Sequence, residues 1–284
     1  TLEQAYQEFN FDQFLAEQLV GTPQAINAYV ECCERHLGSN KIALIWEGKN
    51  GESVEWTFEQ LADASGKLAH YFTSLGLKAG DCIAGLLPRT PELLITILAT
   101  WRMGAIYQPL FTAFESKAIE HRINTAKTRL IVTNEEQRPK LNSVDVPHIL
   151  TVYQQNTLSQ QDDDFWTELI KQSSVFEPVM QTFADDFLMM FTSGTTGLAK
   201  SVPVPLKAVL AFKGYMTYAV DLRAEDSFWN LADPGWAYGL YYGITGPLSL
   251  GHSIIMDERA FSVDHAVQII KKYKVSNLTG SPTA

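Results

Sequence analysis

Apolar residues recur at helical spacing through the first forty positions: Phe9, Phe11, Phe14, Leu15 and Leu19, then Ile26, Tyr29 and Val30. This spacing predicts a helical cap over residues 1–40. The pattern then changes. Ile42-Ala43-Leu44-Ile45-Trp46 is a short apolar run, Lys49-Asn50-Gly51-Glu52 is turn-forming, and Val54-Glu55-Trp56 returns, which together predict a hairpin. Thr57 and Gln60 form a capping-box pair ahead of a helix whose face carries Leu61, Ala64, Leu68, Phe72 and Leu75 and which Gly76 ends. Cys82 to Leu87 reads as a buried strand, and Thr90-Pro91 opens a helix that Gly104 stops. Further strands are predicted at 129–133, 148–152, 187–192, 227–231, 253–257 and 275–279, with helical patterns between most of them. The alternation predicts an α/β fold: layered, mostly parallel sheets flanked by helices.

One polar tract, Gln154 to Asp164, has no core-forming pattern and reads as a surface excursion that ends where Asp164 caps a helix from Phe165. It divides the chain beyond the cap into two expected α/β subdomains, 41–160 and 161–284. Composition narrows the class of protein. Of the 284 residues, 46% are hydrophobic and 19% charged, which is ordinary for a globular chain with ample core. The net charge of −10 argues against nucleic acid or an anionic membrane as partner, but not against a small anion held by local positive charge. Three cysteines, with Cys32 and Cys33 adjacent, fit no metal-ligand spacing and suggest reduced thiols in a cytoplasmic protein. The longest apolar run, Leu93 to Trp101, is too short to span a bilayer, and the first residues lack the pattern of a signal peptide.

The stretch with the most chemistry follows the apolar run Phe187-Leu188-Met189-Met190-Phe191. Thr192-Ser193-Gly194-Thr195-Thr196-Gly197-Leu198-Ala199-Lys200-Ser201 places several hydroxyls, two glycines and a lysine in one turn. Exposed N–H groups, hydroxyl donors and a cation suit a polyphosphate. The same residue types also make plain polar surface turns. The spacing is not that of the Walker A loop, since only two residues separate Gly194 from Gly197, and no G-x-G-x-x-G occurs.

This stretch resembles the phosphate-binding signature of the adenylate-forming enzymes (acyl-CoA synthetases, luciferases and peptide-synthetase adenylation domains), which runs Thr-Ser-Gly-Ser/Thr-Thr-Gly-x-Pro-Lys. Ala199 stands where that pattern has proline, which puts the rigidity of the loop exit in question. Trp56 to Leu61, Leu86 to Glu92 and Trp101 to Leu110 resemble other segments of the same enzymes. Ala232-Asp233-Pro234-Gly235-Trp236-Ala237-Tyr238-Gly239 resembles the acyl-pocket segment of the acetyl- and medium-chain acyl-CoA synthetase branch. The likeness runs from about residue 40 to the last.

The resemblance implies the N-terminal part of the large domain of an AMP-forming acyl-CoA synthetase. In that reaction a carboxylic acid and ATP give acyl-adenylate, and coenzyme A then displaces AMP. It implies that Thr192, Ser193, Gly194, Thr195, Thr196, Gly197 and Lys200 hold the ATP phosphates, with Mg²⁺ bridging them. Trp236, Ala237, Tyr238 and Gly239 would line the acyl site, although aromatic residues in this segment fit a plain core equally well. It further implies that the catalytic lysine and the metal-binding glutamate lie beyond Ala284, in a missing C-terminal part of the same enzyme, so that this chain alone is inactive. Two other readings remain: an adenylation domain serving a carrier protein, and a non-catalytic nucleotide-binding relative. Arg138 and Lys140 lie where some relatives hold the 3′-phosphate of coenzyme A. His252, His265 and the run Asp162-Asp163-Asp164 are expected to be structural or solvated rather than catalytic or metal-binding.

Overall fold

The computed structural model describes residues 2–153, 162–192 and 197–280, without the side chains of residues 2, 5, 11, 12 and 16. Its strands are β1 Ile42–Glu47, β2 Ser53–Thr57, β3 Cys82–Leu86, β4 Ile106–Pro109, β5 Leu130–Asn134, β6 His148–Val152, β7 Asp163–Asp164, β8 Asp186–Thr192, β9 Lys200–Pro205, β10 Phe228–Asn230, β11 Ile254–Asp257 and β12 Asn277–Thr279. Its α-helices are α1 Leu2–Glu8, α2 Phe11–Gln18, α3 Ala28–Cys32, α4 Phe58–Ser74, α5 Pro91–Arg102, α6 Ser116–Ala126, α7 Phe165–Leu169, α8 Ala208–Tyr218, α9 Ala237–Leu240, α10 Gly246–Ser249 and α11 Val263–Tyr273.

The largest sheet has seven strands in the order β7-β6-β5-β3-β4-β8-β9, parallel throughout except for the final β8–β9 hairpin. A second sheet, β11-β1-β2, pairs β1 with β2 antiparallel and with β11 parallel. A short parallel pair, β10–β12, completes the set. Strands from both expected segments, 41–160 and 161–284, therefore share the two larger sheets. Parallel strands need long crossovers, and helices supply them. One such crossover is α5 between β3 and β4. Every residue of it is buried except Glu92, so its apolar residues run all round rather than along one stripe.

Local sequence explains where elements start and stop. The Thr57 hydroxyl accepts from the Gln60 N–H while the Gln60 side chain accepts from the Thr57 N–H, so the capping box of α4 is complete. Leu61, Ala64, Leu68 and Phe72 are buried, as the face predicts, and Leu75 is half-buried. Asp164 caps α7 through the Thr167 N–H. The helical pattern expected after the 187–192 strand is realised as α8, and α9 runs into a π-helical turn over Tyr241–Thr245. Of the polar tract, 154–161 lies outside the described residues. Among the described residues no helix is long and apolar enough to cross a membrane.

Candidate functional site

β8 and β9 form an antiparallel hairpin in which Thr192 pairs with Lys200. The register closes the candidate phosphate loop at its two ends and directs it from the C-terminal end of β8. Parallel α/β sheets present ligands at that edge, because the loops leaving the strand ends are free to vary. Ser193, Gly194, Thr195 and Thr196 lie outside the described residues. Gly197 has a φ of +118° with open space where a Cβ would project, so the backbone there uses a conformation that L-residues rarely adopt. Lys200 is exposed and makes no ion pair among the described residues. An exposed ammonium beside open backbone fits a polyphosphate better than it fits a packing role.

The rest of this edge is built by the segment that follows β4. Phe111 and Phe114 face each other edge-on at 5.7 Å. Trp236 packs against both, 5.6 Å from Phe111 and 5.5 Å from Phe114. The Arg122 guanidinium of α6 lies 4.0 Å from the Phe114 ring and 5.6 Å from the Phe191 ring, one residue before Thr192. A continuous line of contacts thus joins Trp236 through Phe114 and Arg122 to the end of β8. Beside it, His121 donates from Nε2 to the Ala199 carbonyl at 2.8 Å. A shallow cavity of about 460 Å³ opens there, lined by His121, Thr125, Leu198, Ala199, Lys200 and Ser201. Lys200 and Arg122 make this edge locally basic in a chain of net charge −10.

The Asp233–Trp236 segment is a tight turn that leads into α9, and the glycines of this stretch have packing reasons. A Cβ at Gly235 would lie 2.7 Å from the Phe111 Cα, and one at Gly239 would lie 2.2 Å from the Asp233 carbonyl oxygen. The Asp233 carboxylate accepts from the Gly235 N–H at 2.7 Å. Burial raises its pKa above the ordinary carboxylate value, against that hydrogen bond and the attraction of Arg89. Trp236 is 44% exposed, an unusual state for a large aromatic ring and one that leaves a face open beside Phe111 and Phe114. Ala237 is half-buried against the main core. Tyr238 joins a different aromatic group, edge-on to Tyr242 at 5.2 Å, with Tyr215 4.1 Å beyond Tyr242. Burial and the Tyr215 hydroxyl push the Tyr238 phenol upward. The structure thus brings Thr192, Gly197, Lys200 and Trp236 to one edge, and turns Tyr238 toward α8.

Several sequence candidates are occupied by protein partners. Arg138 pairs with the Asp162 carboxylate at 2.5 Å, and Lys140 donates to the Thr112 carbonyl. The three-aspartate run is not simply solvated: Asp162 also accepts from Thr151, Asp163 accepts from the Tyr71 hydroxyl, and Asp164 caps α7. Among the described residues no group of acidic, histidine or cysteine side chains could hold a metal ion. His265 sits 2.9 Å from Asp257, and burial lowers the His252 pKa. Phe111, Phe114, His121 and Arg122 are functional candidates that pattern reading missed. Their one sequence signal is the position of Phe111 and Phe114 just past Pro109, the last residue of a buried strand.

A family model described as AMP-binding enzyme matches residues 32–284. The chain is 30% identical to an acetyl-coenzyme A synthetase of Cronobacter sakazakii, over 91% of this chain and 44% of that protein. It is 31% identical to an acetyl-coenzyme A synthetase of Streptomyces coelicolor, again over 91% and 44%. Among solved structures, a Brucella canis acyl-CoA synthetase superposes with a TM-score of 0.95 at 47% identity, covering 99% of this chain and 52% of that one. The chain therefore spans about half the length of these relatives.

Proposed function

The chain belongs to the AMP-binding enzyme family, and from that premise we propose that it is the ATP- and acyl-binding portion of an AMP-forming acyl-CoA synthetase. The substrates are a small carboxylic acid, ATP and coenzyme A. The carboxylate attacks the α-phosphate of ATP, a new C–O–P linkage forms, and pyrophosphate leaves. The coenzyme A thiol then attacks the acyl carbon and AMP departs. Residues Thr192 to Gly197 offer hydroxyls and N–H groups to the β- and γ-phosphates, and Lys200 offers a point charge. These charges offset what develops on the leaving pyrophosphate, which is how preorganised donors lower such barriers. Mg²⁺, when bound, would supply positive charge against the triphosphate beside the hydroxyls of Thr192 to Thr196. Trp236 supplies a flat apolar wall for the acyl group, with Ala237, Tyr238 and Gly239 shaping the turn behind it.

One observation carries this reading. Trp236 and the phosphate hairpin meet at the same sheet edge, joined through Phe114 and Arg122. An acid resting on Trp236 is then held near phosphates gripped by the hairpin, and positioning of this kind accounts for much of the rate in a two-substrate reaction. ATP–pyrophosphate exchange by the full-length protein with acetate, propionate and hexanoate tests it, followed by acyl-CoA formation. The expected result is exchange that depends on the acid, with thioester formed on adding coenzyme A. Acid-independent exchange, or transfer only to a carrier protein, overturns the reading. The chain 1–284 alone is expected to show no exchange, because it spans only about half the length of the relatives it matches.

A further inference from the structure

Ala199 occupies the position where the resembling signature has proline, yet the loop exit is not free. The Ala199 carbonyl is one residue before Lys200, whose pairing with Thr192 closes the hairpin. That carbonyl accepts from His121 Nε2 at 2.8 Å. His121 is itself held firmly. Its neighbour Arg122 is wedged between the Phe114 and Phe191 rings, and Gln108 of β4 donates its amide to the Arg122 carbonyl at 3.2 Å. The middle of α6 is thus fixed to β4 and to β8, and the imidazole projects from a braced helix.

We infer that His121 is a positioning residue that fixes the exit of the phosphate loop by tethering the Ala199 carbonyl, and so takes over the stiffening that a proline at position 199 would give. Proline restricts the backbone covalently, through φ of its own residue and the conformation of the one before. A hydrogen bond from a braced ring restricts the same segment from outside. Both limit the conformations that Lys200 explores before ATP arrives, and preorganisation of that kind strengthens binding without a new ligand contact. The inference rests on the proposed role of the loop in ATP binding, but the tether itself is a structural claim that exchange measurements read separately.

The experiment uses the full-length protein with Mg²⁺-ATP and acetate as probes. His121→Ala should raise KM for ATP about five-fold, the scale of one lost hydrogen bond, while KM for acetate stays within about two-fold. Adding Ala199→Pro to that variant should restore the ATP value. Amide exchange of the peptide covering 197–205 should quicken in His121→Ala and slow again in the double variant. A general loss of packing would instead raise both KM values and would not be repaired by a proline. If His121→Ala does not fold, Ala199→Pro in the otherwise unaltered chain decides: a segment the tether already stiffens gains little from the proline, so unchanged ATP affinity with little change in exchange at 197–205 supports the tether, and a marked change in either overturns it. Unaltered ATP affinity and unaltered exchange in His121→Ala overturn it as well. If the full-length protein uses no ATP at all, the proposed function fails, and the exchange data still settle the tether.

Discussion

Two regions of this chain, one around α3 and one at the β8–β9 hairpin, differ in what their polar groups do. Around α3, Asn27 donates to the Trp101 and Val179 carbonyls and accepts from the Tyr29 and Val30 N–H groups. Glu31, fully buried, accepts from the Val20 and Gly21 N–H groups and pairs with Arg35 at 2.6 Å. Arg35 and Lys213 both donate to the Gln18 carbonyl. Asn27, Glu31, Arg35 and Lys213 all find partners within the chain, and the result fastens the N-terminal helices to α5 and α8. At the β8–β9 hairpin the opposite holds: Lys200 is exposed without an ion pair, Gly197 faces open space, and Trp236 is half uncovered. Buried polar groups must be satisfied by the protein, whereas groups left open at a strand edge are available to a ligand. Closure of the local hydrogen-bond set, more than residue type, separates the anchor from the candidate site.

The sharpest way to break that contrast is to remove one charge from each region. Glu31→Ala leaves two backbone donors and the Arg35 guanidinium without their acceptor, and unpairing a buried ion in this way costs about 3 kcal/mol. The expected outcome is a large fall in the denaturation midpoint of the full-length protein. Lys200→Ala should change stability by less than about 0.5 kcal/mol, as exposed substitutions do. It should instead reduce kcat/KM for ATP, with roughly 1–3 kcal/mol of lost charge-assisted contact. If Lys200→Ala unfolds the protein, or leaves ATP kinetics untouched, the hairpin belongs with the anchor.

Gly235→Ala probes the seam between the acyl segment and the sheet edge. The added Cβ would meet the Phe111 backbone at 2.7 Å, so the turn or Phe111 must shift. Overpacking of this kind costs about 1–3 kcal/mol. Because Phe111 and Trp236 are in contact, the change should appear as a raised KM for the carboxylic acid with little effect on KM for ATP. Enlarging Ala237 to Val should give a smaller and graded effect, penalising hexanoate more than acetate. Equal penalties across chain lengths would place Ala237 away from the acid.

Much of this architecture was legible from local signals. The capping box at Thr57, the glycine at 76, the Pro91 helix start and the apolar strand runs are chemistry within a few residues, and each appears where it was expected. Beyond the expected β1–β2 hairpin, strand pairing was not legible, because whether β1 joins β11 or β8 joins β4 depends on contacts far apart in sequence. The candidate site divides the same way. The glycines and lysine of the hairpin stand out by type and spacing. Phe114, His121 and Arg122 do not, since a loop phenylalanine and a histidine and arginine in an amphipathic helix carry no mark of function until the fold gathers them beside Phe191 and Ala199. The three aspartates at 162–164 show the converse: a run that suggested solvent or metal is divided among an ion pair, a tyrosine and a helix cap.

The smallest expected effect sharpens the comparison through pH. His36 follows α3 and packs 4.9 Å from the Phe58 ring, with its Nε2 buried and unpartnered. Burial first, and the Arg35 charge next, lower its pKa to about 4. The unfolded chain holds its histidine near the ordinary value of about 6.5. Between these values the unfolded state binds the proton more readily than the folded one. The contribution of His36 is therefore fully present above about pH 6.5 and is lost progressively as pH falls toward 4. The ring is only partly enclosed, so solvent screening reduces the effect to about 1 kcal/mol. Carboxylates titrate in the lower part of this window, so the measurement is a difference: stability of the native protein against His36→Gln at pH 7, 6 and 5. The native protein should lose stability faster than the variant over this range, and KM for ATP should not follow the difference. Parallel pH curves for the two proteins would show that His36 is solvated and that the anchor is less closed than its hydrogen bonds suggest.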